Sequence, residues 1–121
     1  MHLTLASAPS HQIGTTVGRN LATPSRGTTK LAVWTLTLDP GPGLPHTVSG
    51  EEVFVLVSGE VTSETEGVTS VLSPGDAFVT KPDVTFCLSN TGDEPAVVTV
   101  CAIAGTTASV DGNVIKPAWA Q

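Results

Sequence analysis

The stretch PHTVSGEEVFVLVSGEV, residues 45–61, decides the fold. Its segment EVFVLVSGEV is rich in β-branched residues and contains the turn-forming pair Ser58-Gly59, so it predicts a β-strand that ends in a tight turn. Glu52 begins this strand, and His46 begins the short strand predicted just before it. An imidazole and a carboxylate beside a buried strand are side chains that metal sites and proton-transfer sites use.

Strand-like segments recur along the rest of the chain, separated by turns. In KLAVWTLTLDPGPG, residues 30–43, Ala32, Trp34, Leu36 and Leu38 alternate with other residues as in a half-buried strand. The segments TSVLSPGDAFVTKP, DVTFCLSN and PAVVTVCAIA predict further strands, the last two joined as a hairpin by NTGDEP. No long amphipathic helix is predicted. The pattern therefore indicates a single all-β domain, a barrel or a jelly roll.

The composition excludes several classes of function. Of the 121 residues, 40% are hydrophobic and 13% are charged, and the net charge is −6. With five Lys and Arg residues, the chain has no basic surface for nucleic acid. No apolar run approaches the length of a membrane span. The opening MHLTLASAPS lacks the basic region of a signal peptide, so we expect a cytoplasmic protein.

The spacing of His46, Glu52 and Gly59 resembles the first motif of the cupin superfamily, G-x5-H-x-H-x3–4-E-x6-G. Val48 stands where that motif has its second histidine. The stretch GDAFVTKPDVTFCLSN, residues 75–90, resembles the second motif.

The second motif, G-x5-P-x-G-x2-H-x3-N, fits this stretch without gaps. Gly75 and Asn90 match the first and last residues of the family pattern. Between them, Lys81, Asp83 and Phe86 replace the proline, the glycine and the histidine. The substitution of Phe86 for histidine removes another potential metal ligand.

The resemblance implies a single-domain, RmlC-like cupin jelly-roll β-barrel. We expect the barrel core over residues 30–105. Residues 1–29 are expected to form an N-terminal arm with irregular strands, and residues 106–121 a C-terminal tail that packs on the barrel.

Small cupins commonly pair as homodimers through the outer faces of their sheets, so the resemblance also implies a homodimer. Alternation along the predicted strand places Val53, Val55 and Val57 on the outward face. A large apolar patch of this kind usually marks an interface. The expected partners are therefore a second copy and a small-molecule ligand.

Cupins with complete motifs hold a divalent metal through three histidines and the glutamate. By position, His46 and Glu52 remain as metal ligands here, whereas Val48 and Phe86 supply no donor atom. Two protein ligands leave most of the coordination sphere of a transition metal to solvent. A one-residue bulge in the strand would turn Cys87 inward as a third ligand, which the inward alternation around Phe86 opposes.

Strand parity predicts that Trp34, Val48, Phe54 and Phe86 line a pocket inside the barrel, where a small apolar molecule would bind. An inward carboxylate on a barrel strand is costly unless it is paired or protonated. We expect the nearby histidine of the first motif to supply that partner.

Three functions follow from these features. The first is a barrel that binds a small organic molecule, with metal-independent isomerase, cyclase or lyase activity in which His46 and Glu52 act as catalytic proton-transfer groups. The second is a metal-dependent enzyme of dioxygenase or lyase type with a remodelled site. The third is a non-catalytic module, either a ligand sensor or a structural dimer.

The remaining cysteines and histidines are expected to have lesser roles. Cys87 and Cys101 fall on the predicted final hairpin but out of register for a disulfide, so both are expected to be reduced. His2 and His11 lie in the N-terminal arm, either exposed or reaching the barrel mouth. Lys81 stands in a loop that either is solvated or gates the pocket.

Overall fold

The computed structural model describes all 121 residues. They form twelve β-strands and two short 3-10 turns, joined by loops. The strands are β1 Ser10–Ile13, β2 Thr16–Ala22, β3 Leu31–Leu38, β4 Thr47–Val48, β5 Glu52–Ser58, β6 Val61–Thr65, β7 Val68–Leu72, β8 Ala77–Val79, β9 Phe86–Asn90, β10 Ala96–Ile103, β11 Ala108–Val110 and β12 Asn113–Ile115. The 3-10 turns are Pro24–Arg26 and Ala118–Ala120. No helix has the length and apolar character needed to cross a bilayer.

Two antiparallel layers make up the fold. The first is a six-stranded sheet in the order β1-β2-β3-β10-β5-β8. The second combines the sheets β7-β6-β9 and β4-β11-β12. His46 and Phe86 exchange two backbone hydrogen bonds of 3.0 Å and so join these two smaller sheets. The all-β jelly roll predicted from the sequence is confirmed.

The core lies between the layers because each inner strand alternates apolar and outward-facing residues. Val100 of β10 lies opposite Trp34 of β3 on one side and opposite Phe54 of β5 on the other. All three side chains are buried. The turn after β5 needs Gly59, whose φ is 91° and whose missing Cβ would lie 2.8 Å from the Cα of Ala96. The turn after β5 therefore packs directly against the start of β10.

The predicted hairpin of the last two long strands is wrong. β9 pairs with β6 in the second layer, whereas β10 pairs with β3 and β5 in the first. The segment NTGDEP crosses between the layers, and the side-chain amide of Asn90 fixes it by donating to the carbonyl oxygens of Leu38 and Glu94. Cys87 and Cys101 therefore lie in different layers, and both are free thiols.

The barrel extends beyond residues 30–105, because strands on both flanks join its sheets. β2 pairs along β3, so much of the predicted arm is part of the first layer. β11 pairs with β4, so the predicted tail contributes to the second layer. Trp119 then packs against β2 at Gly18, where any Cβ would overlap the indole ring.

Candidate functional site

A cavity of about 340 Å³ lies between the two layers. Its walls are largely apolar, and the four residues predicted as pocket residues all line it: Trp34, Val48, Phe54 and Phe86. Each is at most 5% exposed. Phe54 and Phe86 pack edge to face, with 5.7 Å between their ring centroids. The cavity is thus bounded by fixed side chains of the core.

The mouth of the cavity is also apolar. Ile13 at the end of β1, Leu44 of the loop before β4 and Ile115 of β12 line the cavity and are partly exposed. Exposed apolar side chains around an opening favour the entry of a ligand with an apolar body.

Glu52 is the buried ionisable group of the cavity. It begins β5, and Thr80 holds its backbone on both sides: the Glu52 N–H donates to Thr80 Oγ1 at 2.9 Å, and the Thr80 N–H donates to the Glu52 carbonyl at 3.0 Å. The residue is 5% exposed. Its cross-strand neighbour is the small residue Ala102, followed by Ala32, so no large side chain of those strands covers it.

The carboxyl group of Glu52 has no hydrogen-bond or ion-pair partner within the protein. The single ion pair joins Lys81 to Glu66 at the surface. Burial without compensation raises the pKa of Glu52 from 4.5 to about 7, because the charged form loses its hydration. The group therefore exchanges its proton near neutral pH.

His46 lines the same cavity but does not pair with Glu52, contrary to the sequence-based prediction. In the neutral imidazole, Nδ1–H donates to the carbonyl of Leu44 at 2.8 Å, which leaves the Nε2 lone pair free. The ring packs on Phe86 with centroids 4.5 Å apart. The imidazole is therefore held by the Leu44 carbonyl and the Phe86 ring, and not by the Glu52 carboxylate as predicted.

The donor set of this site does not fit a transition metal. Val48 and Phe86 fill two of the four family ligand positions with buried hydrocarbon. β9 pairs with β6 in unbroken register, so the bulge required to bring in Cys87 is absent. No group of three or more His, Cys, Asp or Glu side chains is close enough to hold an ion. His46 and Glu52 remain as two separate donors.

The other singled-out residues lie outside the cavity. His2 is exposed and His11 lies in β1 opposite Gly18, and neither lines the cavity. Lys81 forms its surface ion pair, and Asp83 is exposed in a turn where its φ is 60°. The loop that carries both does not cover the mouth.

Sequence reasoning missed many lining residues, and two of them bear on the chemistry of the site. Trp119 forms part of the wall from the far end of the chain, and Asp39 lines it from the loop after β3. The sequence holds one indirect signal for Trp119, the glycine at position 18 within an otherwise regular strand, since strand glycines often mark a close approach. Nothing local marks Asp39.

The fold and site together define a small jelly-roll barrel with an internal, largely apolar cavity. A family model described as "Cupin domain" matches residues 34–102. The match spans more than half of the chain, so the protein belongs to the cupin family. No curated protein matches the chain in sequence.

Solved structures share the fold at low sequence identity. The polyketide cyclase RemF from Streptomyces resistomycificus superposes with a TM-score of 0.75 at 15% identity, over 85% of this chain and 78% of RemF. An RmlC-like cupin from Shewanella frigidimarina gives 0.72 at 21% identity, over 85% and 90% of the two chains. KdgF from Halomonas sp. gives 0.70 at 20% identity, over 84% and 91%. At these identities the similarity establishes the fold alone.

Proposed function

We propose that the cavity binds a small organic molecule and that Glu52 and His46 transfer protons on it without a metal, as an isomerase, cyclase or lyase requires. One observation carries this proposal: an isolated, buried carboxyl group with a pKa of about 7 faces an open apolar cavity. Ligand pockets have volumes of roughly 300–1,000 Å³, and this cavity lies at the lower end of that range.

The chemistry needs no redox partner. The Glu52 carboxylate takes a proton from a carbon beside a carbonyl group, and the electron pair moves onto the carbonyl oxygen. Return of the proton to a neighbouring atom completes an isomerisation with no net change in electrons. A base whose pKa lies near the working pH is suited to both steps.

His46 has the complementary role. Its free Nε2 accepts a hydrogen bond from a ligand hydroxyl, while its Nδ1–H bond to Leu44 fixes the orientation of the ring. His46 and Glu52 line one cavity and form no ion pair, so one ligand in the cavity can contact both. The two groups can then act on different atoms of the same molecule.

Two observations favour this function over its alternatives. A metal-dependent enzyme needs more donors than His46 and Glu52 supply. A purely structural module has no need for a cavity, yet Trp34 and Phe86 leave about 340 Å³ unfilled. The fold is also that of the polyketide cyclase RemF, so a barrel of this shape is compatible with ring-forming chemistry.

The test begins with ligand binding. Both tryptophans line the cavity and the chain has no tyrosine, so intrinsic fluorescence reports on occupancy. The neutral dye Nile red should quench this emission. Ala108→Phe, which fills the cavity at a buried lining position, should abolish the quenching, whereas Ala6→Phe at an exposed position should not.

The test of chemistry uses the small molecules that displace Nile red. Incubated with the protein in deuterated water, a true substrate should gain deuterium at carbon, as measured by NMR. Glu52→Gln should abolish the exchange and His46→Ala should slow it, with Glu51→Gln as the exposed neighbouring control. Near-stoichiometric metal in protein purified without chelator, together with exchange lost on chelation, would overturn the proposal.

A further inference from the structure

The ionisable side chains that line the cavity are two carboxyl groups and one imidazole. They are Asp39, Glu52 and His46. None of the five Lys and Arg residues lines the cavity. A site for a carboxylate or phosphate ligand usually provides a basic side chain, most often an arginine that binds both oxygens.

Two of the five basic residues are engaged elsewhere. Arg26 donates to the carbonyl oxygens of Asn20 and Leu21 at 2.7 and 2.9 Å and to Ser7 Oγ at 2.7 Å. Lys81 pairs with Glu66. The other three, Arg19, Lys30 and Lys116, do not line the cavity, although Lys116 lies in sequence between the lining residues Ile115 and Pro117.

The Glu52 carboxylate, in turn, lacks a positively charged or hydrogen-bonding partner. The residue is buried and lines the cavity, and no protein group donates a hydrogen bond to its carboxylate. A buried carboxylate without a donor or a counter-charge is costly, and such groups in proteins are normally satisfied. Either protonation or a donor within the cavity can relieve this cost.

The walls around Glu52 are suited to a cation. Trp34, Phe54, Phe86 and Trp119 line the same cavity. The faces of aromatic rings attract ammonium groups, and indole attracts them most strongly. Asp39 adds a second negative charge, and it is exposed.

We propose that the cavity prefers an organic cation, a ring-bearing or chain-bearing amine whose ammonium group pairs with Glu52 while its apolar body contacts the aromatic walls. This inference rests on the proposed function only in placing the ligand in the same cavity. It names the charge class of that ligand: amines bind, neutral analogues bind less tightly and carboxylates are excluded.

Three probes with one shared body test the proposal: 2-naphthylmethylamine, 2-naphthylmethanol and 2-naphthoic acid. Their affinities for the full chain are measured by isothermal titration calorimetry at one neutral pH. A charge-assisted hydrogen bond should make the amine roughly ten- to hundred-fold tighter than the alcohol. The acid should show no binding.

Two variants test whether the preference for the amine over the alcohol comes from the Glu52 carboxylate. Glu52→Gln should bring the amine to within about three-fold of the alcohol, a residual preference of the size that the aromatic walls provide. Glu51→Gln, on the exposed neighbour, should keep the full preference. Circular dichroism confirms that each variant is folded.

Each other outcome is decisive. If the alcohol or the acid binds as tightly as the amine, the charge preference is overturned, while the cavity remains a ligand site. If Nile red binds but none of the three probes does, the inference is again overturned. If Nile red also fails to bind, the proposed function fails with it.

Discussion

Replacing Glu52 with glutamine should stabilise the protein at alkaline pH. Burial raises the pKa of this carboxyl group from its ordinary value of 4.5 to about 7. Between these two values the folded state holds more protons than the unfolded state, so the free energy of unfolding falls as the pH rises. The difference corresponds to about 3 kcal/mol, at about 1.4 kcal/mol per pH unit.

Glutamine keeps the shape of the side chain and never ionises. We therefore expect Glu52→Gln to resemble the wild type below pH 4.5 and to be more stable by up to about 3 kcal/mol well above pH 7. For a domain of this size, that is an increase in Tm on the order of 10 °C.

The assay is urea unfolding, followed by tryptophan emission, at a series of pH values on both sides of neutrality. The informative quantity is the difference between variant and wild type, because other titrating groups contribute equally to both. Glu51→Gln is the matched control, since Glu51 is the adjacent residue and is exposed. A difference between Glu52→Gln and wild type that does not change with pH would refute the account of Glu52 as a buried, unpartnered acid.

Two further predictions concern packing. Gly18→Ala should displace the Trp119 indole, lower the free energy of unfolding by about 1–3 kcal/mol and shift tryptophan emission to the red, whereas Gly92→Ala, where the added Cβ meets only ordinary contacts, should do neither. The outer face of the first layer should pair two copies, so light scattering should give the mass of two chains, and Val55→Asp should give monomers while Val71→Asp on β7 should not. A wild-type mass of one chain at all concentrations would contradict the dimer.

Local patterns sufficed for the inner faces of the strands. The alternation through Trp34 and the ungapped frame ending at Asn90 both placed the correct side chains inside the barrel, because side-chain direction in a strand follows from parity alone. Phe86 is buried as that frame requires. The same rule placed Phe54 in the cavity wall.

Pairing between strands was harder to predict than direction. The segments that became β9 and β10 look like a hairpin, since both alternate and a turn-rich segment joins them. What separates them into two layers is the set of bonds from Asn90 to Leu38 and Glu94, and the bond to Leu38 joins residues 52 positions apart. A turn signal in the sequence does not state which sheet the next strand joins.

The missing contact between His46 and Glu52 has a similar cause. Both residues line the cavity as family spacing implies, but the orientation of the imidazole depends on the Leu44 carbonyl and on the Phe86 ring. Neither contact is visible in the spacing of the motif. Trp119 reaches the wall beside Gly18, 101 positions earlier in the chain, so its only signal in the sequence is that distant strand glycine.

The order in which strands pair has a consequence for synthesis of the chain on the ribosome. β3 lies between β2, its neighbour in sequence, and β10, which begins 58 residues after β3 ends. β4 likewise has no partner strand until β11 has been synthesised. A nascent chain that has emerged as far as β9 thus holds an open apolar β3 edge and no closed cavity. Pairings this distant in sequence favour slow folding and exposure to aggregation. We therefore expect chaperones to protect the emerging chain until β10 and Trp119 have left the exit tunnel.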